Sequence, residues 1–132
     1  MPKGKNKIKG GYVDGFVLVV PKKNIAAYRR MALEGARVWK KYGALAYMEC
    51  LGDDLKPTGG MPVLTFSKMT KLKKNETVWF SYIVYKSRAH RDQVNKKVMA
   101  EMDEQAKKHK DLPMPFDMKR MAYGGFKVVV NS

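Results

Sequence analysis

Two segments of this chain are apolar on both alternating sets of positions, and few folds tolerate that. In Tyr12–Val20 one set is Tyr12, Asp14, Phe16, Leu18 and Val20, and the other is Val13, Gly15, Val17 and Val19. In Thr77–Tyr85 the sets are Val78, Phe80, Tyr82, Val84 and Trp79, Ser81, Ile83, Tyr85. Runs so rich in β-branched and aromatic residues read as strands, whose alternate side chains point to opposite faces of a sheet. Helices can cover one face, but the other would then be a large apolar surface open to water. A second copy of the chain is the expected cover. The alternative is that a long loop and the C-terminal segment fold over it.

The remaining elements follow from periodicity. Pro21 ends the first strand and suits the turn into a helix. From Lys22 to Tyr42 the apolar positions Tyr28, Met31, Ala32, Gly35, Val38, Trp39 and Tyr42 fall at steps of three and four, and Gly43 is a natural stop. Ala44–Leu51 reads as a second strand, followed by an irregular stretch over residues 53–75 in which Val63–Phe66 is a short extended piece. After the strong strand Thr77–Tyr85, Ser87 sits where a helix cap belongs. Ala89–Lys108 then repeats Val94, Val98, Met102 and Ala106 at helical spacing. Met121–Val130 is the fourth strand, with Gly124 and Gly125 as a bulge or a point of close approach. The pattern is β-α-β-β-α-β, an α+β chain of ferredoxin-like type with a four-stranded antiparallel sheet and two helices on one face. Residues 12–132 form one domain, and residues 1–11 are a disordered basic arm.

Composition narrows the setting. The longest purely apolar run is Phe16–Val20, far short of the roughly 20 residues that cross a bilayer. No membrane association is expected, and Cys50, the single cysteine, suits a reducing, cytoplasmic compartment. As a strand cysteine it is expected to be buried and inert. The net charge of +15 attracts polyanions whether or not binding is functional.

Several motifs are specific in combination. They are Tyr12-Val13-Asp14-Gly15-Phe16, Glu49-Cys50-Leu51-Gly52-Asp53-Asp54 and Tyr85-Lys86-Ser87-Arg88-Ala89-His90-Arg91-Asp92. With them go Asn95-Lys96-Lys97-Val98-Met99, Met114-Pro115-Phe116-Asp117-Met118-Lys119-Arg120-Met121 and Tyr123-Gly124-Gly125-Phe126. In this order, from about Tyr12 to Val130, they resemble the YbaA-like family of uncharacterised bacterial proteins. The resemblance implies the dimeric α+β barrel fold, in which two such sheets pack face to face, and implies no activity. The arm before Tyr12 and the lysines between Lys68 and Lys74 depart from the family's pattern.

The segment from Ser87 to Asn95 is the most chemically dense. It opens a helix, where free N–H groups favour an anion, and Arg88 and Arg91 add donors. His90 precedes Val94 by one turn, so it is expected to face inward as a neutral imidazole and to belong to any ligand pocket. The structural alternative pairs these arginines with nearby aspartates and with Glu49 or Asp117. Glu49, Asp53 and Asp54 lack histidine or cysteine at ligand spacing, so no metal is expected. Asp117, Lys119 and Arg120 read as a salt-bridge group. No phosphate-cradling glycine loop, dinucleotide fingerprint or nucleophile elbow is present, and no cofactor is expected.

Two functions of different class remain. The first is a small-molecule binder or enzyme with a pocket between sheet and helices, for which His90, Arg88, Arg91, Asn95, Trp39 and Tyr123 are the candidate residues. The second is a nucleic-acid-binding (RNA) module acting nonspecifically through Arg29, Arg30, Arg37, Lys40 and Lys41 on the first helix, together with the arm. The third strand lacks the basic-glycine-aromatic run of an RNA recognition motif. A dimer with no chemistry is the third, bland outcome.

Overall fold

The computed structural model describes residues 10–57, 59–108 and 113–132, so the arm up to Lys9 and also His109 lie outside the described residues. Four strands, β1 (Tyr12–Pro21), β2 (Ala46–Leu51), β3 (Glu76–Tyr85) and β4 (Ala122–Lys127), form one sheet in the order β2-β3-β1-β4. Every neighbouring pair is antiparallel. Helices α1 (Ile25–Lys41) and α3 (Arg88–Lys108) are the crossovers, and α2 (Phe66–Met69) is a single turn in the long loop. This is the ferredoxin-like α+β arrangement. Among the described residues no helix is long and apolar enough to cross a membrane.

Local chemistry sets the boundaries. Gly43 takes φ +110°, a left-handed conformation that terminates α1, and its N–H donates to the Lys40 carbonyl. Ser87 Oγ accepts from the His90 N–H at 3.1 Å and so caps the start of α3. Four expectations change. Gly11 is tied to the sheet, donating to the Tyr85 carbonyl and accepting from Val128 N–H, so the arm ends before it. Val63–Phe66 is not extended as a unit, because Thr65 caps the α2 turn that begins at Phe66. β4 stops at Lys127, opposite Tyr12, the first residue of β1, and the Val128 N–H to Gly11 carbonyl bond extends one step beyond it. Gly124 and Gly125 pair in unbroken register with Gly15 and Asp14, so there is no bulge. Gly125 is instead a close-approach point, since a Cβ there would collide with the Tyr12 ring.

The register sorts the two faces. Leu18, Val20 and Trp79 pack with Tyr28, Ala32 and Phe116 at one end of the helix-covered side. At the other end Ile83 and Tyr85 pack with Val38, Ala44, Val94 and Val98. Tyr12, Asp14, Phe16, Tyr47, Glu49, Ser81 and Tyr123 belong to the same face by register. The opposite face carries Val13, Val17, Ala46, Met48, Cys50, Phe80, Tyr82, Gly124 and Phe126. Val19, Val78 and Val84 on it are buried within one chain, but Met48 and Phe80 are each 45% exposed and Phe126 is 61% exposed. This face is therefore covered only in part within one chain. Cys50 lies here and is exposed, not buried as expected, because β2 is an edge strand.

We propose that a second copy covers this face, each sheet presenting the same apolar rows to the other. Light scattering at micromolar concentration is expected to return twice the chain mass, and Tyr82→Lys is expected to give monomer or aggregate. A wild-type monomer at that concentration would contradict the pairing.

Candidate functional site

The core of the helix-covered side is split, and the reason is composition at its centre. Where large apolar side chains would meet, α1 places Ala32 and Gly35, and β3 places Ser81. A Cβ on Gly35 would sit 2.8 Å from the Tyr47 hydroxyl, so Gly35 is what lets that ring lie against the helix. The result is a half-open cavity of about 650 Å³ between sheet and helices. That lies within the range of roughly 300–1,000 Å³ typical of small-molecule sites. Its walls are mostly apolar: Phe16, Trp39 and Phe116, with Met31, Met99, Met102, Met114, Met118 and Met121 around the helices and the segment leading into β4.

Two carboxylates stand on its floor. Glu49 accepts from Tyr28 at 2.7 Å (Oε1), from Tyr47 at 2.8 Å (Oε2) and from the Ser81 hydroxyl (Oε1). One acid thus joins α1, β2 and β3. Burial, followed by the neighbouring Glu49 charge and hydrogen bond, pushes the Tyr28 and Tyr47 phenols well above their ordinary range. Asp14, 1% exposed, takes the Arg91 guanidinium at 2.7 Å and faces Asn95 Nδ2 at 3.5 Å. Asn95 Oδ1 in turn accepts from Trp39 Nε1 at 3.0 Å and from the Tyr85 hydroxyl at 3.1 Å. Arg91 also donates to the Tyr123 hydroxyl at 2.9 Å and to Asp92 at 2.8 Å. Burial opposes the charge on Arg91, but the Asp92 hydrogen bond and the Asp14 charge outweigh it and raise its pKa. Among the described residues no buried side-chain nitrogen or oxygen lacks a partner.

Of the six residues expected at a small-molecule site, Trp39, Asn95 and Tyr123 line the cavity, and Arg91 stands directly behind it. Arg88 is exposed. His90 is not on the lining. Its Nδ1 accepts from the Lys86 N–H at 2.9 Å, its ring stands edge-on to Tyr85 at 6.0 Å, and its Nε2 lies by Gly43. The turn before Val94 thus packs against the strand end and the α1–β2 junction instead of the cavity. Arg91 does pair with aspartates, but with Asp14 and Asp92, not with Glu49 or Asp117. Asp117 caps the turn at Met118–Arg120, and Arg120 pairs with Glu76 at 2.5 Å. On the basic face of α1, Arg37 and Lys41 are held by Glu34 and Glu101, and Lys40 donates to the Leu45 carbonyl. Arg29 and Arg30 are exposed.

Residues 11–118 match the family described as "Protein of unknown function (DUF1428)". The chain belongs to this family. It is 43% identical over 120 residues to the uncharacterized protein YbaA of Escherichia coli strain K12, a match spanning 91% of this chain and 97% of the relative. The Shigella flexneri protein of the same description matches to the same extent. The resemblance to YbaA-like proteins carried by the sequence motifs is thereby established.

Sequence reasoning missed the centre of this DUF1428 cavity: Asp14, Tyr28, Tyr47, Glu49 and Ser81. A signal was present. Asp14 interrupts the row Tyr12, Phe16, Leu18, Val20, and Glu49 interrupts a strand beside Tyr47. An acid in an otherwise apolar row of a covered face needs a built set of partners.

The phenols make alkaline stability a direct readout. Their folded pKa values exceed the unfolded value of about 10, so the folded state holds protons that the unfolded chain releases. Their contribution is complete below about pH 10 and lost as the pH rises further. Tyr47→Phe is expected to lower the melting temperature near neutrality, because Glu49 loses a donor worth roughly 1.5–3 kcal/mol. The deficit should narrow above about pH 10. Thermal melts of both proteins across that range check this, and a deficit independent of pH would contradict it.

Proposed function

We propose that this protein binds a small, largely apolar molecule between sheet and helices, with the Glu49 and Asp14 clusters as polar anchors. The observation that supports it is the cavity itself. An unfilled space in a core costs on the order of 24 cal/mol per Å³, and this chain keeps Ala32, Gly35 and Ser81 where larger residues would close it. Methionines suit the role, because their unbranched, polarizable side chains adapt to different shapes. Several sit at the mouth, with Met31, Met99, Met114 and Met118 exposed.

Nucleic-acid association, the alternative, has less support. Three of its five helix residues are already engaged by groups of the same chain, leaving Arg29, Arg30 and the arm as a nonspecific, salt-sensitive attraction.

The neutral fluorophore phenylnaphthylamine tests the cavity. Saturable binding near one molecule per chain is expected, with affinity reduced at least about tenfold by Met99→Trp and unchanged by Met61→Trp, an exposed position off the lining. Equal effects of the two variants, or no saturable binding, would contradict the proposal.

A further inference from the structure

The chain carries 27 lysines and arginines, yet among the described residues none that lines the cavity is basic. The two lining acids are not equivalent. Asp14 is neutralised by Arg91. Glu49 has only hydroxyl partners and takes part in none of the ion pairs among the described residues, so its charge is fixed in place but not cancelled. Three donors serve a group with about four acceptor positions. Two fall on Oε1 and one on Oε2, which leaves Oε2 with capacity. Around this charge stand aromatic rings: Tyr28 lies 5.7 Å from Phe116, edge to face, and Trp39 lies 5.9 Å from Tyr47.

The ligand that such a site favours over a neutral one of equal shape carries positive charge. An anion would meet an uncancelled carboxylate in a low-dielectric hollow. A neutral apolar molecule would displace water from that carboxylate without supplying a counter-charge. A primary ammonium would need acceptors for three N–H groups, and walls made of methionine and aromatic rings do not supply them. An ammonium whose hydrogens are replaced by alkyl groups has no such demand, and it is attracted both by the carboxylate and by ring faces. We infer that the cavity selects organic cations, tertiary or quaternary ammonium groups carrying an apolar body, with Glu49 as the counter-charge. This deepens the small-molecule reading and rests on it.

Displacement of phenylnaphthylamine by three compounds that share a phenethyl body tests it: phenethyltrimethylammonium, its neutral carbon isostere with tert-butyl in place of trimethylammonium, and phenylpropanoate. The cation should displace the probe at a concentration roughly tenfold or more below the isostere, with the anion weakest. In Glu49→Gln the cation's advantage should disappear while the isostere's affinity holds. If Glu49→Gln does not fold, the wild-type order of the three compounds decides alone. Equal displacement by cation and isostere, with both sensitive to Met99→Trp, overturns the charge selection and leaves the cavity reading intact. Preference for the anion overturns it likewise. Failure of all three, or displacement insensitive to Met99→Trp, overturns the cavity reading and the inference together.

Discussion

Glu49 is the point on which the helix-covered half of the molecule depends. Tyr28 reaches it from α1, Tyr47 from its own strand and Ser81 from the neighbouring strand. A carboxylate this close to an apolar core is tolerated only because three hydroxyls solvate it. The Tyr47 hydroxyl in turn needs Gly35 on α1, because any side chain there would push that ring away. The second acid, Asp14, uses a different solution, a guanidinium backed by an asparagine that is itself held by Trp39 and Tyr85. Both arrangements occupy positions that an ordinary core would fill with leucine or valine, and the cavity is the space that remains between them.

The charge distribution is correspondingly two-sided. The exterior is strongly basic, while among the described residues the hollow has no basic lining residue and one uncancelled acid. An excess of surface lysine sets the long-range attraction for polyanions. What the interior can hold is set by a few groups within contact distance, where water no longer screens them. The two properties are independent, so the basic composition says little about what the cavity accepts.

Much of the fold was legible in the residues. Two doubly apolar strands, helical steps of three and four, Gly43 as a stop and Ser87 as a cap fixed the element order and type. Periodicity is set by local geometry, which the sequence encodes directly. The ends were less legible: β4 stops at Lys127 because its partner does, a fact about pairing and not about Val128–Val130. The site was legible in part. Trp39, Asn95 and Tyr123 are legible in the sequence, whereas the helical phase that points His90 inward does not bring it to the cavity. Phase gives the side of a helix but not the depth along it, and the first turn of α3 lies beyond the cavity's end. Glu49 was set beside Asp53 and Asp54 as an acid near a turn. Only the register with Ser81 turns it inward, toward Tyr28 on α1, 21 residues earlier in the chain.

Ten methionines make the location of a bound molecule directly observable. With the methionine methyl groups isotopically labelled, phenylnaphthylamine is titrated and the methyl resonances are followed by NMR. Binding between sheet and helices shifts Met99, Met102, Met118 and Met121, which line the cavity, and leaves Met61 and Met69 in place. Shifts confined to Met61 and Met69, which lie off the lining, or spread evenly over all methyls, would contradict a ligand site in this cavity.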